Sequence, residues 1–204
     1  MTSGIIPVPR LIIGHRADLT SGSTRFPVQQ DLLDSAHSDA GAPLMVDLGG
    51  GTGRDLIAFK AKFPSAPGRL ILQDREHVIS GVDLQDIEKQ NHDFFTPQPV
   101  KGARIYFTHF IFHNYNDEQS VQILQQVAAA MEKGYSRLIL NEWVLPDIGA
   151  KPIEALADIQ MLFAFGAMER TKSQWQDLLK KAGLKLIKVG LPEKHGEGVV
   201  EAEL

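Results

Sequence analysis

The feature that most constrains this chain is a short apolar run that stops on glycine. Leu44-Met45-Val46-Asp47-Leu48 is followed at once by Gly49-Gly50-Gly51-Thr52-Gly53. A run of this length, closed by glycines, reads as a strand buried on both faces. Glycines directly after it permit a sharp turn and a close approach of backbone to a ligand. Asp55-Leu56-Ile57-Ala58-Phe59-Lys60 then has helical character, and Pro64 and Gly68 halt it.

The rest of the chain repeats this alternation. Further strands are expected over 69–73, 87–90, 104–108, 137–140 and 184–189, with helices over 76–79, 118–131, 153–165 and 171–181. The helix over 118–131 is amphipathic, with Val121, Leu124, Val127, Ala128 and Met131 on one face and Gly134 placed as its C-cap. Thr171-Lys172-Ser173-Gln174 is a capping box, and Gly183 ends the helix it starts. The segment 198–204 is expected as a last, antiparallel strand. Alternation of this kind implies an α/β fold of Rossmann-like, doubly wound type: a mostly parallel seven-stranded sheet, covered on both faces, with an antiparallel C-terminal strand. Residues 1–40, punctuated by Pro7, Pro9, Gly14, Gly22 and Pro27, are expected as an irregular segment or arm, and 41–204 as the cofactor-binding domain.

Composition excludes several function classes. A net charge of −4 and a pI near 6.0 argue against nucleic acid, which needs a concentrated basic surface. Lys180, Lys181, Lys185 and Lys188 read as a solvated helix face and end. The absence of cysteine removes disulfides, thiolate zinc sites and a cysteine nucleophile, and fits a reducing, cytoplasmic setting. No apolar run approaches the roughly 20 residues of a membrane span. Leu11-Ile12-Ile13 is too short for a secretory core.

Within the loop, the spacing favours one cofactor over another. A dinucleotide site prefers Gly-x-Gly-x-x-Gly, but counting from Gly49 or Gly51 puts Arg54 or Leu56 at the last position. Asp47 would repel a pyrophosphate and suits the ammonium of an amino-acid moiety. Both points favour S-adenosylmethionine (SAM) over NAD. Asp74 closes the second strand 21 residues past Gly53, where a carboxylate can grip ribose hydroxyls. Asp93 with Phe94 follows the third strand, where an acid can accept from an adenine amine and an aromatic ring can cover the base. The plainer alternative is a tight-turn glycine cluster with two surface aspartates. The residues expected around the cofactor are Asp47, Gly49, Gly51, Gly53, Asp74, Asp93, Phe94 and His109.

The segment His109-Phe110-Ile111-Phe112-His113-Asn114-Tyr115-Asn116-Asp117 follows the fourth strand. Its two histidines are four residues apart, a spacing that suits zinc on a helix. The segment is apolar, follows a strand and has no cysteine, so no metal is expected. Four separated motifs now stand in order: Val46 through Gly53, His113 through Asp117, Asn141-Glu142-Trp143-Val144-Leu145-Pro146, and Gly166-Ala167-Met168-Glu169-Arg170-Thr171. Together they resemble the caffeate-type O-methyltransferases of plants and fungi. Leu72-Gln73-Asp74 and Lys101-Gly102-Ala103-Arg104 are similar to the fungal polyketide members.

The resemblance implies metal-independent transfer of a methyl group from SAM to a phenol oxygen of a small aromatic metabolite. His113 matches the family's general base, and a side chain with a pKa near 6.5 suits that task. Glu142 and Glu169 match the two acids that flank and orient it. Met161, Phe163, Phe165 and Met168 are either the lining of an aromatic pocket or ordinary core. Two departures stand out. The family usually has aspartate where this chain has Asn114, which alters the charge beside His113. Members also carry a long helical N-terminal region that dimerises, with Arg25-Phe26-Pro27-Val28 placed as the tail of such a part. A homodimer, or association with another chain, is the expected assembly. Two other readings stay open: a non-catalytic binding or regulatory subunit, and a rearrangement in the same pocket without methyl transfer.

Overall fold

The computed structural model describes residues 27–191 and 197–204. The irregular stretch expected over 1–26, with Arg25 and Phe26, lies outside them. Among the described residues there are eight strands: β1 (Pro43–Leu48), β2 (Arg69–Asp74), β3 (Glu88–Asn91), β4 (Ile105–His109), β5 (Arg137–Leu145), β6 (Arg170–Thr171), β7 (Lys185–Gly190) and β8 (Glu197–Glu203). Five helices join them: α1 (Arg54–Lys62), α2 (Glu76–Ile79), α3 (Asp117–Ala128), α4 (Pro152–Phe165) and α5 (Lys172–Lys181). The strand order is β3-β2-β1-β4-β5-β8-β7, with β6 paired to β5 off this path. Every pairing is parallel except those of β8, which runs antiparallel between β5 and β7. The expected seven-stranded path is therefore present, with β6 added.

Side-chain alternation explains why the sheet is covered twice. Val46, Leu48, Tyr106, Leu138, Leu140, Val200 and Ala202 point to one face, where Ile123, Leu124 and Val127 of α3 meet Trp175, Leu178 and Leu179 of α5. Met45, Ile105, Phe107, Ile139 and Val199 point to the other, under Leu56 and Phe59 of α1. Consecutive residues of β4 and β5 thus serve opposite cores. Both faces are filled, which is why these strands read as unbroken apolar runs.

Several expectations are corrected. The segment expected to be irregular contains a single turn of π-helix, Gln29–Leu33, because tertiary contacts override its local signals. Leu32 and Leu33 are buried, and buried Arg104 donates to the carbonyls of Asp31 and Leu32 and to Ser35 Oγ. Gly134 does not cap α3. That helix ends at Ala128 with Ala129 as C-cap, and Gly134 takes its positive φ in the turn before β5. β5 runs five residues past Leu140, since β8 and β6 offer partners along that extension. Lys188 is not merely solvated: it pairs with Asp31 and Glu201.

Helix α4 is apolar on most sides. Ala157 and Met161 are buried, but Leu156, Ile159, Leu162 and Phe163 are exposed, Phe163 by 86%. Of the four residues read as pocket or core, only Met161 is core, Phe163 and Phe165 are exposed and Met168 is half-buried.

Candidate active site

The parallel strands end together, and the turns that follow them build one site. After β1, Gly49, Gly51 and Gly53 take φ of 69°, 61° and 72°, a region that non-glycine residues rarely enter. Gly50 is needed for a different reason: a Cβ there would lie 2.3 Å from Asp47 Oδ2 and 2.6 Å from Leu72 Cδ1. At Gly51 the corresponding space is open. The loop is tied to the next strand end, where Asp74 Oδ2 accepts from Gly51 N at 2.9 Å. Asp74 Oδ1 accepts from Arg75 N, and Arg75 Nη1 donates to Asp93 Oδ2 at 2.9 Å. Asp93 Oδ1 accepts from Phe95 N. Tyr115 packs edge to face against both Phe94 and Phe95, which are tilted against each other, with ring centroids 5.3 to 5.7 Å apart. The carboxylates expected to meet ribose and base are therefore already braced by backbone amides.

Asp47 is fully buried, and neither carboxylate oxygen has a hydrogen-bond partner. Burial, then the nearby charge of Asp55, holds its carboxyl well above the usual carboxylate range, against the pull of His109. An unpartnered buried acid beneath a glycine turn is a costly arrangement that a cation would relieve. This orphaned acid and the open space at Gly51 fit SAM, whose amino-acid end carries an ammonium.

His109, expected as a cofactor contact, has both ring nitrogens taken. Nδ1 lies 3.0 Å from Asp55 Oδ2 on α1, and Nε2 lies 3.1 Å from Glu197 Oε2 on β8. Asn141 Nδ2 also donates to that glutamate oxygen at 3.0 Å. Burial disfavours the charged ring, but the two carboxylate bonds outweigh it and raise the pKa to about 10. At neutral pH His109 is a cation sealed between two acids. Sequence reasoning passed over Asp55 and Glu197, which come from the two ends of the fold.

His113 sits on a short 3₁₀ turn, Phe112–Asn114, directly after β4. Its Nδ1 lies 3.0 Å from Glu169 Oε1, and among the described residues its Nε2 has no partner. Glu169 is 5% exposed and is itself positioned through its amide, which donates to Asp158 Oδ1 on α4. Glu142, fully buried in β5, acts differently: its Oε1 accepts from the amides of Ile111 and Phe112, each at 2.8 Å. It caps the turn rather than the ring. The remaining oxygens, Oε2 of Glu142 and of Glu169, are buried without partners. Donor atoms of His113, Glu142 and Glu169 all lie within 4.8 Å of one another, a spacing that would also suit a metal ion.

Burial opposes charging of His113, but the bond from Glu169 and the fields of Glu142 and Glu169 prevail, so its pKa is raised. Burial raises the pKa of Glu142, with His113 pulling the other way and Glu169 adding to the rise. The arrangement fixes the imidazole through one nitrogen and leaves the other able to accept a proton. Arg170 was also missed. It is fully buried and donates to Phe112 O and Tyr115 O, both at 2.9 Å, and to Asp117 Oδ1. Its guanidinium lies 5.4 Å from the Trp175 ring centroid.

Comparison with known proteins bears on the whole assembly. The model of an O-methyltransferase domain matches residues 24–185. O-methyltransferase asqD of Emericella nidulans is 43% identical over 181 residues, covering 87% of this chain but 46% of that protein, so the chain spans about half the length of this relative. Two solved structures, a pericyclic reaction enzyme and LepI in complex with SAM, each align with a TM-score of 0.85 at 35% identity. Each covers 95% of this chain and 50% of the other. OxaC in complex with sinefungin and meleagrin aligns with a TM-score of 0.76 at 36% identity, over 88% of this chain and 46% of its own. The domain match runs from before the glycine loop to beyond the histidine and its glutamates, and the chain belongs to the O-methyltransferase family.

Proposed function

We propose that this chain binds SAM at the glycine loop and transfers its methyl group to a phenolic hydroxyl of a small aromatic metabolite, with His113 as general base. The observation that carries the reading is the pair His113 Nδ1 and Glu169 Oε1, 3.0 Å apart, beside an Nε2 without a partner among the described residues. In this reading Asp47 meets the ammonium of the cofactor, Asp74 the ribose, and Asp93 with Phe94 the base. SAM supplies an electrophilic methyl group that needs no further activation. The protein's part is alignment and removal of one proton. Glu169 holds the imidazole in the tautomer with hydrogen on Nδ1, and Nε2 accepts the phenol proton as its oxygen attacks. Glu142 keeps the turn in place through its two amides. The small-molecule relatives in complex form support a compact acceptor rather than a macromolecule.

The test is titration with SAM, then incubation with a panel of phenols and mass spectrometry. The expected result is saturable binding and a gain of one methyl group that His113→Ala abolishes while SAM still binds. Methylation that survives His113→Ala would remove the base from this reading. Failure of SAM to bind would remove the reading altogether.

A second reading is favoured by one finding, the likeness to a pericyclic reaction enzyme at a TM-score of 0.85. In it the pocket rearranges a bound substrate, with the cofactor's positive charge polarising it. Its signature is a product of unchanged mass whose formation needs SAM but does not consume it.

A further inference from the structure

The turn that carries His113 contains a backbone conformation that its sequence would not choose. Phe110 has φ of +54°, in the left-handed region where a bulky residue is strained. Its ring lies against the His113 imidazole, with centroids 5.0 Å apart and planes inclined by only 13°. The amide of Phe110 is satisfied, donating to Asn141 O at 3.1 Å and continuing the β4–β5 ladder. The reversal that follows turns the carbonyls of Phe110 and Ile111 back toward the turn. Asn114 Nδ2 donates to both, at 2.9 Å and 3.3 Å.

We propose that Asn114 is a positioning residue whose side-chain amide locks Phe110 in the left-handed conformation and thereby holds its ring flat on His113. The inference rests on the reading of His113 as the base. Ile111 O already accepts from the backbone amide of Asn114 at 3.1 Å, so the side-chain amide is above all the N–H donor for Phe110 O, and an ionised aspartate has none. A carboxylate at this position would face two carbonyl oxygens with a negative charge. Asparagine is therefore matched to the strained turn, and its effect on the local charge is secondary. Phe110 covers one face of the imidazole, Glu169 takes Nδ1, and Nε2 is the edge left over. The stacked ring limits rotation of the imidazole about its own bond, which keeps Nε2 aimed in one direction.

Three measurements on the full chain test this. The first is the NMR signals of the His113 ring protons, which a parallel aromatic ring displaces upfield. Asn114→Ala and the isosteric Asn114→Asp are expected to move them downfield, toward the position seen in Phe110→Leu. The second is kinetics: kcat for methylation should fall about tenfold to a hundredfold in Asn114→Ala, with KM for SAM unchanged. The third is a double-mutant cycle on thermal stability. Glycine relieves the left-handed strain, so Asn114→Ala should lower Tm in the native background and hardly at all with Phe110→Gly. An unmoved His113 signal in Asn114→Ala overturns the proposal, as does an equal loss of Tm in both backgrounds. Methylation intact in His113→Ala would defeat the base reading alone, since the NMR and stability arms report the turn's geometry without any turnover.

Discussion

The two histidines of the site are held by carboxylates to opposite ends. For His109, the folded pKa of about 10 lies above the ordinary 6.5, so its bonds to Asp55 and Glu197 stabilise the fold fully below pH 6.5. That contribution is lost as pH rises toward 10. The expected outcome is a Tm that falls steadily from pH 7 to 10, and a flatter profile with a lower starting Tm in His109→Gln, followed by calorimetry. For His113 the neutral ring is the working form. Because its pKa is raised, the rate should fall as pH drops through a midpoint above 6.5. Glu169→Gln removes the bonded charge and should move that midpoint to lower pH while lowering kcat about tenfold to a hundredfold. Glu142→Gln keeps an oxygen for the amides of Ile111 and Phe112 and should leave the turn folded. Glu142→Ala leaves the buried Phe112 amide without an acceptor, at about 1–3 kcal/mol, and the half-buried Ile111 amide at less, read by chemical denaturation.

At the scale of elements, the glycine loop separates two kinds of need. Gly51→Ala meets no neighbour but must hold φ near 61°, a backbone cost of about 1–2 kcal/mol. Gly50→Ala would drive a methyl group into the Asp47 carboxylate and Leu72, and should cost more stability and weaken SAM binding further. Differential scanning with and without SAM separates the two. Arg170 links elements across the site. Arg170→Met strips donors from the carbonyls of Phe112 and Tyr115, a loss of about 2–5 kcal/mol in denaturant titration. Legibility follows the same division. Strands β1, β2 and β4 were readable because they are apolar on consecutive residues, and the capping box at Thr171 because its two partners are three residues apart. Strand β6 was not, since two residues have no period. Asp55 and Glu197 were not, because the histidine that unites them stands 54 and 88 residues away. His113 and its glutamates were legible as residue types in order. Their division of labour, ring against backbone, was not, because sequence carries no record of which oxygen meets which amide.

At the scale of the whole molecule, helix α4 leaves an apolar side exposed among the described residues. Leu156, Leu162 and Phe163 present to water a surface that soluble proteins seldom leave bare in one patch. Association that strengthens with concentration is the expected behaviour of this chain. Phe163→Ser should reduce it in sedimentation velocity while leaving Tm unchanged, since this ring contributes nothing to either core.

One arrangement in the sheet also sets an order in time. Strand β8 is the last of the eight to leave the ribosome, yet it occupies an inner place between β5 and β7 and brings Glu197 to His109. Until it inserts, a slot stands open one place in from the edge of the sheet, β7 has no neighbour to pair with, and His109 lacks one of its two acids. Pairings between distant parts of a chain form slowly. The nascent protein can assemble its glycine loop and first four strands early. The wedge that closes the structure arrives after nearly everything it must hold together.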